Sequence, residues 1–193
     1  MELKNMVALV SRTGRHLQRY NKGCRQVVGC IPYRYKVTKK TSLVDEDSLE
    51  VLVISAQRKG KGMLFPKGGW ETDESIVEAA LRETVEEAGV LGDVERVLGK
   101  WKFESQNKEG YMFPLLVKEQ LEFWPEKEVR QRKWISVKEA RKVCENGWMK
   151  EALELLVSRL TAEDKEANVV ESCPQTPLSQ ERRSNSCKYN KIF

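Results

Sequence analysis

Runs of apolar residues along the chain predict the strands of a sheet. Residues 49–58 (LEVLVISAQR) begin with a near-continuous apolar stretch, which is typical of a strand covered on both faces. Residues 26–35 (QVVGCIPYRY) are rich in β-branched and aromatic side chains, and Pro32 favours an edge position or a bulge. Shorter patterns of the same kind predict strands at residues 63–65, 94–104, 111–119 and 133–135.

A helix is predicted after the strand at residues 63–65 and a loop over residues 67–73. We expect a helix over residues 74–88, capped at its N-terminus by Thr72 or Asp73. Gly89 is placed to end this helix in a left-handed conformation. Because strands alternate with helices in one compact unit, the pattern indicates an α/β or α+β fold layered on a mixed sheet.

Two further helices are predicted after residue 135. Ser136 and Glu139 have the spacing of a capping box, and the helix that they begin breaks near Gly147. The next helix carries an apolar face that favours packing on the core, formed by Trp148, Met149, Ala152, Leu153, Leu156 and Leu160.

Composition divides the chain of 193 residues into three parts. Residues 1–20 form a basic N-terminal arm, residues 21–160 a single domain, and residues 161–193 a disordered tail rich in Glu, Ser, Gln and Pro. The 40% hydrophobic fraction is sufficient for a real core. No window approaches the ~18 apolar residues that a membrane span needs, so we expect a soluble protein.

Charge and cysteine content restrict the kinds of functional site that the chain can contain. A net charge of +5 indicates ordinary solubility unless the basic residues gather around a site, where they would favour a polyanion. Five cysteines without a C-x-x-C pair argue against a disulfide framework or a thiolate zinc site and for a reducing compartment. His16 is the single histidine, which disfavours a Ser-His-Asp triad. Any metal should therefore have oxygen ligands.

The N-terminal arm contains several arginines and no long apolar run, so it does not resemble a secretory signal. Its weak similarity to a mitochondrial transit sequence leaves two compartments open. We expect a cytoplasmic protein, with the mitochondrion as the alternative.

One segment, residues 68–90, has the spacing of a metal site. On a helix Glu83, Glu86 and Glu87 lie on one face at i, i+3 and i+4, where three carboxylates repel one another. A divalent cation such as Mg²⁺ or Mn²⁺ removes this conflict because it prefers hard oxygen ligands. A solvated glutamate-rich helix would show the same spacing, but the preceding glycines, Gly68 and Gly69, allow the backbone to approach a ligand closely.

These residues resemble the Nudix box, G-x5-E-x7-R-E-U-x-E-E-x-G-U, where U is aliphatic. Gly68, Glu74 and the run from Arg82 to Val90 match it, and Thr84 at an aliphatic position is the one departure. The resemblance implies an α/β/α sandwich and a metal-dependent hydrolase in which water attacks phosphorus of a nucleoside-diphosphate-linked or related diphosphate. It further implies metal ligands and catalytic groups: Glu83, Glu87, the carbonyl of Lys67, and Glu86 as a ligand or the general base.

Flanking residues resemble the diphosphoinositol polyphosphate phosphohydrolase branch, particularly its plant members, through QVVGCIPYRY and MLFPKGGWETDES. This resemblance implies a small, crowded polyanionic substrate, most simply an inositol pyrophosphate. The residues that it implies on the substrate are Arg25, Ser55, Arg58, Lys67, Arg130 and Arg132. Further lysines, Lys59, Lys61 and Lys108, would add to a basic funnel.

Three alternatives stay open. A dinucleoside polyphosphate hydrolase would need an aromatic side chain to stack on adenine, and Trp70, Tyr111 or Phe113 would serve. A polyanion-binding module without catalysis gains nothing from three clustered acids facing a phosphate. An RNA-end hydrolase needs an extended basic and aromatic surface that the sequence does not contain. We therefore expect neither nucleic acid nor membrane as a partner, and the oligomeric state stays open.

Overall fold

The computed structural model describes residues 10–36, 46–57, 62–103 and 107–171. The strands in this part of the chain are β1 (Tyr20–Asn21), β2 (Cys24–Tyr35), β3 (Leu49–Ser55), β4 (Met63–Leu64), β5 (Lys67–Gly69), β6 (Val90–Val94), β7 (Gly99–Phe103), β8 (Lys108–Gln120) and β9 (Arg132–Ser136). The helices are α1 (Ile76–Ala88), α2 (Val137–Val143) and α3 (Gly147–Glu171).

The strands form one mixed sheet whose central path runs β4-β3-β2-β8-β6. The two longest strands, β2 and β8, pair in parallel, and the other pairings are antiparallel. The predicted strand at residues 94–104 is two strands, β6 and β7, which both pair with β8. At 13 residues, β8 is long enough to hold two short partners.

Alternate side chains of the sheet are buried on opposite faces, as the continuous apolar run in β3 predicts. Val51 and Val53 pack with α2 and α3, whereas Leu52 and Ile54 pack with α1. All four side chains are fully buried. The sheet therefore lies between one helix and two, and the expected α/β/α sandwich is confirmed.

The first helix begins later than predicted. Its N-cap is Ser75, whose hydroxyl accepts the amide of Glu78 at 3.2 Å while the Glu78 carboxylate accepts the amide of Ser75 at 2.7 Å. The expected caps are wrong because the helix begins only at Ile76. Both residues instead contact the N-terminal segment: the amide of Thr72 donates to the carbonyl of Leu17, and Asp73 pairs with Arg12.

The C-terminus of α1 is as predicted. Gly89 adopts a left-handed conformation at φ 61°, and its amide donates to the carbonyl of Val85. At the second helix, Ser136 caps the amide of Glu139, but the Glu139 carboxylate pairs with Lys133 rather than completing a capping box.

The last helix extends beyond the predicted domain boundary at residue 160. Residues 161–171 continue α3, which corrects the expectation that the disordered tail begins at residue 161. Apolar residues do not mark this extension, so helical spacing gave no signal for it. The division into arm, domain and tail otherwise stays a prediction, and residues 172–193 lie outside the described part. None of the described helices is long and apolar enough to span a membrane.

Candidate active site

Strand β5 places the backbone of Lys67 next to helix α1. The neighbouring residues turn towards β2: the carbonyl of Pro66 accepts the amide of Cys30, and the amide of Trp70 donates to Gln26. Successive residues along a strand direct their backbone N–H and C=O groups to opposite sides, so those of Lys67 point away from β2. Its amide donates to a Glu87 carboxylate oxygen at 2.7 Å. The carbonyl of Lys67 accordingly lies on the side of the box glutamates, where a metal ligand is needed.

Gly68 allows the backbone of β5 to pack closely on Glu83. A Cβ at this position would lie 1.9 Å from Oε2 of Glu83, so the carboxylate would have to move. The backbone of β5 therefore packs directly on the carboxylate, and the box glycine sets the distance between loop and helix.

Arg82 links the loop to the acidic face of α1. Its Nη1 donates to Glu83 at 2.8 Å and approaches Glu86 at 3.4 Å. Its Nε and Nη2 donate to Glu74 at 2.9 and 2.7 Å, and Nη2 also donates to the carbonyl of Gly69. The arginine that the sequence placed beside these acids thus orients them through charge-assisted hydrogen bonds.

Arg130 holds the other end of the acidic face. It is buried, and it donates to Glu87 through Nη2, to Glu126 through Nε and to the carbonyl of Ser55 through Nη1 at 3.0 Å. The hydroxyl of Ser55 accepts the amide of Gln131 at 3.0 Å. Ser55 and Arg130 were predicted to contact substrate, but their polar groups are engaged within the protein. Their positions favour holding Glu87 in place.

The three box glutamates are buried carboxylates. Burial raises the pKa of Glu83 and that of Glu87 to about 7, and Arg82 and Arg130 offset part of the rise. Burial also raises the pKa of Glu86, again offset by Arg82. Each carboxylate is thus less stable as an anion than in water, and further positive charge would stabilise it.

The charge balance of this cluster fits a divalent cation. Two arginines, Arg82 and Arg130, are paired with five carboxylates, those of Glu74, Glu83, Glu86, Glu87 and Glu126. In the described residues no three acidic, histidine or cysteine side chains converge closely enough to hold an ion. The donor set is nevertheless the all-oxygen one that Mg²⁺ and Mn²⁺ prefer.

Basic side chains from three strands lie beside the acidic cluster. Arg25 and Lys108 are register partners in β2 and β8, and Lys67 begins β5. Burial lowers the pKa of Lys108, and Arg25, Lys67 and Arg15 lower it further. Burial and Arg15 likewise lower the pKa of Arg25. These cations are close enough to repel one another, and a bound anion would relieve the repulsion.

Arg132 and Arg58 were also predicted to contact the substrate. Arg132 donates to the carbonyls of Ala88 and Gly89 at 2.8 and 2.9 Å and stacks on Trp124. It therefore caps the C-terminus of α1, and its position gives no support to the substrate contact that we expected. Arg58 lies outside the described residues.

The sequence reasoning missed two residues. Glu126, in the loop before β9, joins the cluster through Arg130, and its amide donates to the carbonyl of Glu86 at 3.0 Å. The i, i+4 spacing of Glu126 and Arg130 was the available signal. Gln18 lies in the basic arm and is buried, with its side-chain oxygen accepting Nε of Arg25 at 2.6 Å. Nothing in the sequence marked it.

The aromatic side chains considered for base stacking are already engaged. Arg19 lies over the ring of Trp70 at 4.3 Å, and Tyr111 meets Trp70 edge-on with ring centroids 6.2 Å apart. Lys100 lies 5.2 Å from the centroid of Tyr111, and Phe113 is buried in the core. Stacking of adenine on Trp70 would have to displace Arg19 or use the opposite face.

Thr84, the one departure from the box, is fully buried on the core side of α1. Its hydroxyl donates to the carbonyl of Ala80, one turn earlier, at 2.7 Å. The polar atom is therefore satisfied within the helix, and threonine replaces an aliphatic residue without an unpaired buried group.

Comparison with known proteins identifies relatives of the chain. The NUDIX domain family model matches residues 41–156. The chain is 63% identical over 160 residues to "Nudix hydrolase 18, mitochondrial" of Arabidopsis thaliana, covering 81% of this chain and 89% of that protein. It is 37% identical over 102 residues to diphosphoinositol polyphosphate phosphohydrolase 2 of Mus musculus, covering 52% of this chain and 57% of that protein.

A solved structure with a similar fold is the binary complex of the C. elegans Ap4A hydrolase. The TM-score is 0.55 at 20% sequence identity, over 71% of this chain and 98% of that chain. At this identity the likeness concerns the fold alone.

Proposed function

The chain belongs to the Nudix hydrolase family and is an enzyme of the class that cleaves phosphoanhydride bonds, and we propose that its substrates are inositol pyrophosphates. The observation that carries the proposal is the group of basic side chains beside the box glutamates, Arg15, Arg25, Lys67 and Lys108, in which Arg15 acts on Arg25 and Lys108, and Arg25 acts on both lysines. A crowded polyanion can neutralise all of them together, whereas a nucleotide offers fewer phosphates. The similarity to the mouse diphosphoinositol polyphosphate phosphohydrolase supports the same substrate class.

Nudix hydrolases generally use divalent metal ions, and we propose Mg²⁺ or Mn²⁺ here. Glu83, Glu87 and the carbonyl of Lys67 would hold the ion, with Glu86 as a further ligand or as the base. When bound, the ion would neutralise charge on the phosphoryl oxygens and lower the pKa of water.

The chain's own groups supply positioning and proton transfer. In the proposed reaction a water oxygen attacks phosphorus, the bond from phosphorus to the bridging oxygen breaks, and the electron pair leaves with that oxygen. Glu86 is the candidate acceptor of the water proton because its ion pair with Arg82, at 3.4 Å, is the longest in the cluster. Arg25 and Lys67 would hold the phosphates of the substrate during the step.

The runner-up is hydrolysis of dinucleoside polyphosphates, which is the activity named for the C. elegans structure. It is less well supported because Arg19 covers Trp70 and Phe113 is buried, which leaves Tyr111 as the candidate for stacking. An enzyme of this family is not a silent polyanion-binding module, so that alternative is set aside. The sequence contains no extended basic and aromatic stretch that would support an RNA-end hydrolase.

Phosphate release from inositol pyrophosphates and from dinucleoside polyphosphates, with Mg²⁺ or Mn²⁺, tests the proposal. The wild type is compared with Glu86→Gln and with Glu78→Gln, a matched control. Glu78 lies on the same helix but is exposed, and glutamine preserves its capping box with Ser75.

We expect release from the inositol compounds, its loss in Glu86→Gln and its retention in Glu78→Gln. Turnover of the dinucleotides alone would replace the proposed substrate with the runner-up. Equal loss in both variants would mean that charge on α1 in general, rather than Glu86, is required.

Localisation belongs to the proposal as well. The name of the Arabidopsis relative assigns that protein to the mitochondrion, which favours the mitochondrial alternative over the cytoplasm that the weak N-terminal pattern favoured. Microscopy of the full chain carrying a C-terminal fluorescent protein distinguishes the two compartments.

A further inference from the structure

Gln18 lies just before β1, and its neutral side-chain amide lies between backbone carbonyls and the guanidinium group of Arg25. The side chain is 8% exposed. Its amide nitrogen lies 2.9 Å from the carbonyl of Gln26, 3.0 Å from that of Trp70 and 3.1 Å from that of Arg19. Three segments of backbone therefore meet at this one group.

These contacts fix which way the amide points. Carbonyl oxygens only accept hydrogen bonds, so the NH₂ group of Gln18 must face the three carbonyls. Its side-chain oxygen is then directed at Arg25, whose Nε donates to it at 2.6 Å. The orientation is set by the backbone and does not depend on Arg25.

The same hydrogen bond leaves the far end of Arg25 available. Within the part of the chain that the structure describes, Nε is the only guanidinium nitrogen of Arg25 with a hydrogen-bond acceptor. The neighbouring charges are Arg15, which lowers the pKa of Arg25, and Glu83, which raises it. Arg25 thus has its Nε fixed by Gln18, while its charge interacts with that of Glu83 in the carboxylate cluster.

Gly69 completes the arrangement. A Cβ on Gly69 would lie 2.2 Å from Oε1 of Gln18 and 2.8 Å from Nη2 of Arg25. The glycine that follows the first box position thereby makes room for the hydrogen-bonded pair, as Gly68 does for Glu83.

We propose that Gln18 is a positioning residue that orients Arg25 to bind a substrate phosphate through its two Nη groups. The inference rests on the proposed function, since it assumes a phosphorylated substrate at the basic residues. A neutral amide suits this role because it holds the guanidinium without neutralising it. A carboxylate in its place would compete with the phosphate for the same charge.

A double-mutant cycle in the full chain tests the proposal, with Gln18→Met, Arg25→Met and the double variant. Two quantities are measured: the Kd of inositol hexakisphosphate without metal, by calorimetry, and the KM and kcat for an inositol pyrophosphate. The matched control is Gln26→Met, because Gln26 is also a buried glutamine but bonds Cys24 and Glu109 instead of Arg25. Gln18→Asn, which keeps the amide but is too short to reach, serves if Gln18→Met does not fold.

We expect Gln18→Met to raise Kd and KM about tenfold, with kcat changed less than about threefold, as for loss of one hydrogen bond to a charged group. Arg25→Met should raise both at least as much, and the double variant should match Arg25→Met within about twofold. Effects of the two variants that multiply would overturn the proposal, as would an equal rise in Gln26→Met.

The outcome separates this inference from the proposed function. If the wild type binds inositol hexakisphosphate but releases no phosphate from inositol pyrophosphates, the proposed function fails while the Kd cycle still decides the role of Gln18. If turnover occurs and the cycle is additive, only the inference fails. Absence of any binding by the wild type would overturn it as well.

Discussion

The site has two walls, one acidic and one basic, and they differ in how their charges are paired. The acidic wall, Glu83, Glu86 and Glu87 on α1, is paired inside the protein with Arg82 and Arg130. The basic wall, Arg25, Lys67 and Lys108, comes from three strands; burial lowers the pKa of Lys67 and that of Lys108, and Arg25 lowers both further. There Arg25 donates to the neutral amide of Gln18 rather than to a carboxylate.

This difference indicates separate roles. Arginines within the fold orient the acids, whereas Arg25 is held by a neutral amide and keeps its positive charge for an external anion. Changes to the acidic wall should therefore alter kcat and stability, and changes to the basic wall should alter KM.

The largest effect is expected for Glu87→Gln. It removes a charged oxygen from the candidate metal site and leaves Arg130 with Glu126 as its remaining carboxylate. We predict a fall in kcat on the order of 10³-fold in steady-state phosphate release. Glu78→Gln on the same helix should stay within about twofold; a comparable fall there would remove the distinction between the acidic wall and the rest of α1.

The next largest difference between the two walls is expected in the free energy of unfolding. Arg82→Met leaves three carboxylates without their shared partner, so the free energy of unfolding should fall by about 3 kcal/mol. Arg25→Met removes one hydrogen bond but relieves repulsion from Arg15, and should cost about 1 kcal/mol or less. Urea denaturation measures both, and equal losses would contradict the contrast.

Metal removal should make stability depend on pH through the acidic wall. Burial raises the pKa of Glu83 and Glu87 from 4.5 to about 7, so the folded state binds more protons than the unfolded state between these values. The metal-free protein should therefore lose stability as the pH rises through this window, by at least about 1 kcal/mol. Thermal unfolding in EDTA measures this, and saturating Mg²⁺ should restore stability above pH ~7. A rise in stability over the same window would contradict the burial effect.

The smallest effect is expected for Arg132→Lys, which tests whether this residue belongs to either wall. Arg132 bonds three carbonyls, those of Ala88, Gly89 and Leu121, and lysine cannot reproduce that fork. Unfolding free energy should fall by about 1 kcal/mol with KM unchanged within about twofold. A tenfold rise in KM would restore the substrate contact that its position does not support.

Local spacing predicts the acidic wall, whereas the residues of the basic wall were expected from the resemblance and the basic character of the flanking segments, not from their spacing. Glu83, Glu86 and Glu87 lie on one helix, so helical periodicity alone brings them together, and Gly89 ends that helix as expected. Local spacing also failed once within this segment, because Leu17 and Arg12, more than fifty residues away, engage Thr72 and Asp73 and move the N-cap to Ser75.

The basic wall depends on strand pairing across the whole chain. Lys108 meets Arg25 through the register of β2 with β8, and no local pattern encodes that register. The same reason explains why Arg130 and Arg132 looked alike in the sequence. They lie two residues apart on either side of the start of β9, yet one pairs with Glu87 and the other caps α1.

Separation of roles between the walls is tested most directly by complete steady-state kinetics of Glu86→Gln and Arg25→Met on one inositol pyrophosphate. We predict that Glu86→Gln lowers kcat by at least about 10²-fold and leaves KM within about threefold. Arg25→Met should raise KM at least about tenfold and leave kcat within about threefold. A fall in kcat for Arg25→Met, or a change confined to KM for Glu86→Gln, would contradict the assignment of chemistry to α1 and of substrate binding to the strands.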